Sequence, residues 1–171
     1  MVTPILTNKF VFVGVFITLL NLNLKPVTMK AQKESITLGG LQLNFLLDGD
    51  DTNNQMVMFE FSIKPGSKVP VPHYHVDVDE AVYGLEGTMT SIVDGQKIET
   101  SPGDRLFITR GQTHYHDNLT DKETKVLCIL TPAYIGPAYF RELKAIMVPG
   151  TPPDPKKIGE IMQRHGLIPV V

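Results

Sequence analysis

Apolar and polar residues alternate in short segments through the middle of the chain. Such alternation places apolar side chains on one face of a β-strand, because successive side chains point to opposite sides. Residues 55–63 are the clearest case, with Val57, Phe59, Phe61 and Ile63 on one face. The same pattern predicts further strands at residues 35–40, 41–47, 81–85, 88–93, 96–100, 106–109, 113–118 and 125–131.

Glycine and proline separate these strands at nearly even intervals. Asp94-Gly95 lies between two of them, and this dipeptide is the strongest short signal for a β-hairpin. Residues 48–54, rich in Asp and Asn, are expected to form a polar loop. Many short strands joined by such turns predict an all-β sandwich or barrel, which we expect to span residues 36–131.

The pattern becomes helical after residue 131. One helix is expected from Pro137, and a second begins with Asp154 as N-cap and Pro155 at the first helical position. We therefore predict a C-terminal helical extension over residues 132–171, folded as a hairpin on the outside of the β domain. His165 falls in the last turn of the second helix, where a cationic side chain is favoured, and we do not expect it to bind metal.

The first thirty residues predict export. Lys9 precedes an apolar run at residues 10–20, which is shorter than the roughly 20 residues of a transmembrane helix but suits a secretory signal peptide. We expect residues 1–31 to be a signal peptide and the protein to be secreted or periplasmic, with no membrane contact after cleavage. An uncleaved anchor extending through Leu24 is the alternative, against which the early Pro26 counts.

Composition narrows the range of functions. The 171 residues suit one domain, and the net charge of −2 with no basic patch argues against a nucleic-acid partner. Removal of residues 1–31 would leave 13 basic and 18 acidic residues, a net charge of −5. Cys128 is the only cysteine in these residues, so they can form no disulfide with one another. Its apolar neighbours predict a buried small side chain rather than a catalytic thiol.

Four of the five histidines lie in two short segments. His73 and His75 share one face of a strand, and Glu80 follows after an acidic turn. Two imidazoles and a carboxylate can bind a transition metal and leave coordination positions open. His114 and His116 follow in a later strand, which would supply a fourth ligand. Three His and one Glu suit Fe, Mn, Ni, Cu or Zn without choosing among them, whereas the plain alternative is a set of hydrogen-bonded or surface histidines.

Two stretches carry a family resemblance. Residues 66–87 resemble the first motif of the cupin family, although one residue more than usual separates its first glycine from its first histidine; the matching positions are Gly66, His73, His75, Glu80 and Gly87. Residues 95–118 resemble the second motif, with Thr109 in place of the usual proline; the matching positions are Gly95, Pro102, Gly103, Asp104, Gly111, His114 and Asn118.

The resemblance implies a double-stranded β-helix, the cupin jelly-roll barrel, with one divalent transition metal inside and often a homodimer. It implies that His73, His75, Glu80 and His114 are the metal ligands. His116 is two residues further along the same face of the strand, so it would replace His114 as the ligand if the strand register differed. The whole chain is similar to the small single-domain cupins that are grouped with quercetin dioxygenases.

From this resemblance we expect an exported metal-binding cupin that acts on a small-molecule substrate. The leading expectation is a metal-dependent dioxygenase acting on an aromatic or dicarbonyl-type compound. Two alternatives stay open, a Lewis-acid isomerase or hydrolase and a non-catalytic binding or sensing module.

A mostly apolar pocket is expected around the metal. Val82 and Gly84 share the face of Glu80, and Met58 and Glu60 are expected on an adjoining inward strand. Glu60 is then a candidate general base, although glutamate is more often solvated. Tyr74 and Tyr115 should point away from the metal, because each lies between two inward histidines.

Overall fold

The computed structural model describes residues 33–69, 71–148, 150–151 and 154–170. The predicted signal peptide, residues 1–31, lies outside this part of the chain. The described strands are β1 (Glu34–Leu38), β2 (Leu41–Leu47), β3 (Val57–Ile63), β4 (His73–His75), β5 (Asp79–Glu86), β6 (Met89–Val93), β7 (Gln96–Thr100), β8 (Arg105–Ile108), β9 (His114–Asp117), β10 (Thr124–Thr131) and β11 (Leu167–Pro169). The helices are α1 (Gly49–Thr52), α2 (Pro137–Ile146) and α3 (Pro155–Arg164).

The strands form two antiparallel sheets. One sheet has the order β1-β2-β3-β10-β5-β8, and the other has the order β11-β4-β9-β6-β7. The chain passes from one sheet to the other and back, so that neighbours within a sheet are often distant in sequence. This arrangement is a double-stranded β-helix, which confirms the predicted all-β jelly-roll class.

The apolar face of β3 forms part of the core between the sheets. Val57, Phe59, Phe61 and Ile63 are all buried, as the alternation predicts. Phe45 of β2 packs against Phe59 with ring centroids 5.2 Å apart. Burial of aromatic side chains is a large favourable contribution to folding, and this pair contributes to the core from neighbouring strands of the first sheet.

The Asp94-Gly95 hairpin forms as predicted. It joins β6 to β7, and the register pairs Val93 with Gln96. Asp94 has φ 48° and Gly95 has φ 80°, the left-handed backbone that a tight two-residue turn requires.

Two short elements differ from the prediction. The segment expected as a polar loop contains α1, which is held by a capping box between Asp48 and Asp51. Strand β11 was not predicted at all. It pairs with β4 and becomes the edge of the second sheet.

The C-terminal helices form the expected hairpin. Asp154 caps α3 by accepting a hydrogen bond from the backbone N–H of Lys156 at 2.9 Å. Helix α2 contacts β1, α3 contacts β11, and the two helices contact each other. They do more than cover the outside of the β domain, because their apolar side chains line its internal cavity. Within the described residues, no helix has the length and apolarity to span a membrane.

Candidate metal centre

Strand β4 presents its two histidines to the interior. His73 and His75 are 8% and 4% exposed, whereas Tyr74 between them is half-buried and does not line the cavity. The strand pairs with β11, where Leu167 lies opposite His75. The period-two pattern of the sequence therefore predicts the direction of both rings correctly.

Strand β9 brings the second histidine pair to the same place. His114 lies opposite His73 in the register of β4 with β9. The ring centroid of His114 is 4.7 Å from that of His73 and 4.8 Å from that of His75. His116, two residues further along, is also buried. Tyr115 is half-buried and outside the cavity, as expected.

Glu80 joins the histidines from the first sheet. It lies near the start of β5 and is 6% exposed. Its Oε2 is 3.4 Å from Nε2 of His114, and its Oε1 is 3.3 Å from Nε2 of His116. The carboxylate therefore lies between the two histidines of β9.

Two groups of donor atoms have the spacing of a metal site. One consists of His73, His75 and His114, and the other of Glu80, His114 and His116; within each group the donor atoms lie within 4.8 Å of one another. His114 belongs to both groups. The sequence left His114 and His116 as alternatives, whereas the structure brings both rings to the cluster.

Hydrogen bonds orient two of the rings in the same way. Nδ1 of His73 donates to the carbonyl of Val71, and Nδ1 of His114 donates to the carbonyl of Gln112, both at 2.9 Å. A proton on Nδ1 leaves the Nε2 lone pair free, which is the usual arrangement of a metal-binding histidine.

The remaining nitrogen of His114 fits a cation. Among the described residues, its Nε2 is the only buried side-chain nitrogen or oxygen atom without a hydrogen-bond partner. An unpartnered buried polar atom costs free energy, and a metal ion bound there would remove that cost. Three imidazole nitrogens and one carboxylate oxygen are also a donor set that divalent transition metals accept.

Charge states at the cluster also suit a cation. Burial, together with the nearby His114 and His75, lowers the pKa of His73 to about 3. Burial likewise lowers the pKa of His75 to about 4. Burial alone would raise the pKa of Glu80, but its contacts with His114 and His116 outweigh that effect and hold the pKa well below its ordinary value. His73 and His75 are thus neutral imidazoles beside an ionised carboxylate, the forms that bind metal.

His114 behaves differently from the two histidines of β4. Burial alone would lower its pKa, but the adjacent Glu80 carboxylate outweighs burial and raises it. The Glu80 carboxylate therefore favours positive charge at His114. A cation held by Glu80 and His114 would supply positive charge at the same place.

An apolar cavity of about 90 Å³ adjoins the cluster. At ~15 Å³ for each water it has room for roughly six water molecules, or for one small organic group. Its aromatic wall comes from both sheet and helix, namely Phe59, Phe61, Tyr139 and Phe140. The His and Glu side chains form the polar end of this cavity.

The predicted pocket wall needs correction. Phe59 and Phe61 line the cavity, so Met58 and Glu60 point to the other side of β3. The prediction that Met58 and Glu60 shape the pocket is therefore wrong, and so is the suggestion of Glu60 as general base. Val82 and Gly84 are buried but do not reach the cavity.

Three further residues that the sequence singles out lie outside the two donor groups. Cys128 is 1% exposed, and burial followed by the charge of Glu80 raises the pKa of its thiol well above the ordinary value. Asn118 of the second motif is buried and donates to the carbonyls of Ile63 and Lys122. His165 caps α3, contacts Glu142 and belongs to neither donor group.

Sequence reasoning missed the contribution of the C-terminal segment. Tyr139, Leu143, Ile158 and Met162 line the cavity from α2 and α3. The signal was present as an apolar stripe at helical spacing, although such a stripe does not reveal what it covers. Leu167 reaches the cavity from β11.

Comparison with known proteins agrees with this arrangement. Residues 59–130 match the cupin domain family. The chain is 31% identical over 119 residues to quercetin 2,3-dioxygenase of Bacillus subtilis (strain 168), covering 69% of this chain and 34% of that protein. It is 29% identical over 97 residues to the tetracenomycin polyketide synthase protein TcmJ of Streptomyces glaucescens, covering 57% and 64%. The chain thus spans less than two thirds of the length of either relative.

A solved structure shows the same fold. The polyketide cyclase RemF of Streptomyces resistomycificus superposes with a TM-score of 0.52 at 24% sequence identity. The match covers 63% of this chain and 78% of that one. At this identity the likeness concerns the fold.

Proposed function

We propose that residues 59–130, which match the cupin domain family, form a cupin domain that binds one divalent transition metal through His73, His75, Glu80 and His114. The observation that carries the proposal is the unpartnered Nε2 of His114, because His114 belongs to both groups of donor atoms that have the spacing of a metal site. The ordered Nδ1 protons of His73 and His114 support it, because they direct the remaining lone pairs into the cluster.

The substrate proposed for this site is a small organic molecule with an apolar body and at least one oxygen. Phe59, Phe61 and Phe140 form an apolar wall that would receive the body and exclude water from it. The polar end of the cavity would receive the oxygen. A bound metal supplies Lewis-acid chemistry and open positions for oxygen-containing ligands.

We propose dioxygenation as the leading reaction. The 31% identity to a quercetin 2,3-dioxygenase supports it, although the match covers only 34% of that enzyme. The aromatic cavity wall is consistent with an aromatic or dicarbonyl-type substrate. In this reaction the chain itself would hold the substrate against the phenyl rings and keep bulk water away from the reacting atoms.

A second candidate is Lewis-acid chemistry without oxygen, as in an isomerase or hydrolase. The similarity to TcmJ favours it, because that relative is named as a polyketide synthase protein and not as an oxygenase. The same cavity and the same four ligands would serve both reactions, so the two differ in their need for O₂.

Metal analysis of the purified protein tests the site. The wild type should carry about one equivalent of a transition metal, and the double variant H75A/E80A should carry almost none, because it has lost two of four donors. H165A is the matched control, since His165 also contacts a glutamate but lies in neither donor group. Equal metal content in wild type and H75A/E80A would disprove the site.

Oxygen-electrode assays separate the reactions. Flavonols, catechols and diketones are offered to protein loaded with Fe, Mn, Ni or Cu. Substrate-dependent O₂ uptake supports the dioxygenase. Turnover without O₂ uptake supports the second candidate, and tight ligand binding without turnover supports a non-catalytic binding module.

We also propose that the protein is exported. The support is the charge at Lys9 and the apolar run at residues 10–20, which suit a signal peptide. N-terminal sequencing of the protein recovered outside the cytoplasm should begin near residue 32. An intact Met1 in a membrane fraction would show an uncleaved anchor instead.

A further inference from the structure

His116 has no role in the proposed four-ligand set, yet it is 4% exposed and directed at Glu80. Its Nε2 lies 3.3 Å from Oε1 of Glu80. The other oxygen, Oε2, faces Nε2 of His114 at 3.4 Å. The two carboxylate oxygens of Glu80 therefore face different histidines.

A buried serine holds the far side of His116. Ser91 lies directly opposite His116 in the register of β6 with β9, and it is 0% exposed. Its Oγ is 2.9 Å from Nδ1 of His116. The ring of Phe61 packs edge-on against His116, with centroids 6.3 Å apart. The imidazole is thus fixed by contacts on its Nδ1, its Nε2 and its ring.

The hydrogen bonds give His116 a different proton arrangement from His114. Nε2 of His116 must donate in order to bond the carboxylate, so Nδ1 of a neutral ring accepts from the hydroxyl of Ser91. In His114, by contrast, Nδ1 donates to a backbone carbonyl and Nε2 keeps its lone pair. His116 is therefore arranged as a hydrogen-bond donor, and His114 is arranged as a ligand.

We propose that His116 is a positioning residue that holds Oε1 of Glu80, so that Oε2 is the oxygen presented to the metal. This inference rests on the proposed metal site, and it assigns Ser91 as the residue that orients His116. The row Ser91–His116–Glu80 acts on the metal through the carboxylate only. Partners of this kind typically change metal affinity by about 10- to 100-fold when they are removed.

The test compares metal affinity and electron paramagnetic resonance spectra of the Cu²⁺-loaded full chain. H116F keeps a ring against Phe61 but cannot donate to Glu80, and we expect it to weaken Cu²⁺ binding about 10- to 100-fold. H116Q keeps an N–H donor and should recover part of this loss. S91A leaves the imidazole in place and should have a smaller effect in the same direction. H165Q, which alters a histidine–glutamate contact outside the cluster, should match the wild type.

Pulsed electron paramagnetic resonance counts the imidazoles bound to Cu²⁺ in each variant. Three bound imidazoles should remain in H116F and in S91A. The copper hyperfine values should change, because the Glu80 carboxylate is no longer held by His116 in its wild-type position. Wild-type affinity and spectrum in H116F would overturn the inference, and so would the loss of one bound imidazole, which would make His116 a ligand. If H116F does not fold, unchanged affinity and spectrum in S91A would overturn it. A wild-type protein that binds no metal would instead refute the proposed function itself.

Discussion

Strands β4 and β9 each bring two histidines to one cluster, but they are held in place by different parts of the chain. Strand β9 pairs along its length with β6, and on its other side Lys68 bridges to Asp117. Strand β4 has a single paired residue on β9, which is His73 opposite His114. Its longer pairing is with β11, near the C-terminal end of the described residues.

The half of the site on β4 and the half on β9 therefore depend on different parts of the fold. His114 is held in position by the pairing of β9 with β6, which is one strand of the β6–β7 hairpin. The positions of His73 and His75 depend on β11, whose residues follow two helices and lie far away in sequence. One further contact joins the halves, a hydrogen bond of 2.9 Å from the N–H of Gly111 to the carbonyl of His75.

The largest expected effect is on metal affinity. It tests whether β4 and β9 both supply metal ligands. H75A in β4 and H114A in β9 each remove one donor, so each should weaken metal binding by more than about 100-fold, beyond the effect of losing an outer hydrogen-bond partner. Competition with a chromogenic chelator measures both affinities. Near-wild-type binding by either variant would mean that its strand supplies no ligand.

The next largest effect is on the free energy of unfolding. It tests whether β4 and β9 depend equally on the strands that pair with them. Leu167 lies opposite His75 and Val93 lies opposite His114, and both are buried. L167A should lower the free energy of unfolding by about 2–4 kcal/mol, and V93A should lower it by roughly 1.5 kcal/mol at ~0.8 kcal/mol for each lost methylene equivalent.

Only L167A should also speed amide hydrogen exchange in β4 and weaken metal binding, because β9 keeps its pairing with β6 in V93A. Urea unfolding and hydrogen-exchange mass spectrometry give the two readouts. Equal effects of L167A and V93A on metal affinity would remove the asymmetry between the strands.

A smaller effect is expected at the junction of the halves. Gly111 has φ 84°, and a Cβ added at this position would have no heavy atom within 4 Å. G111A therefore introduces backbone strain of about 1–2 kcal/mol without a steric clash. Gly39 in the β1–β2 turn has φ 60° and the same open surroundings, which makes G39A the matched control. Both variants should lose similar stability in urea, and only G111A should weaken metal binding. A fall in affinity with G39A would point to general destabilisation.

The smallest effect concerns the helices that lead to β11. Arg164 and then His165 hold the pKa of Glu142 below its ordinary value of 4.5. The stabilisation from the ionised carboxylate is therefore present above pH ~4.5 and is lost as the pH falls through the lowered pKa. Wild type should be more stable than E142Q at pH 7, and the difference should disappear in acid. The difference should also shrink with added salt, because the Arg164–Glu142 ion pair is exposed. A difference that grows in acid would contradict this assignment.

The sequence predicts the parts of the site that depend on local periodicity. The face shared by His73 and His75, the hairpin at Asp94-Gly95 and the barrel class all follow from alternation and turn residues. The hydrogen bond between His116 and Glu80 depends on the relative placement of two sheets, which no local pattern encodes. Strand β11 escapes prediction because Leu-Ile-Pro is too short to show a period.

The error at β3 has a physical explanation. In this fold the cavity opens from the apolar interior, so the residues that line it are those that also build the core. The apolar face of β3 with Phe59 and Phe61 therefore lines the pocket. The prediction of Met58 and Glu60 as pocket residues fails because the pocket and the core lie on the same face of this strand.

Pro169 adds a consequence for association between molecules. Strand β11 is the edge of its sheet among the described strands, and a bare edge can template strands from other chains. The hydrogen bonds from Val76 to Gly166 and from Val170 to Pro72 imply, by antiparallel alternation, that the backbone nitrogen of residue 169 faces the open side. Proline removes the donor there without losing a bond to β4. The strand that supports half of the histidine cluster thus carries a proline that disfavours pairing of its open edge with another chain.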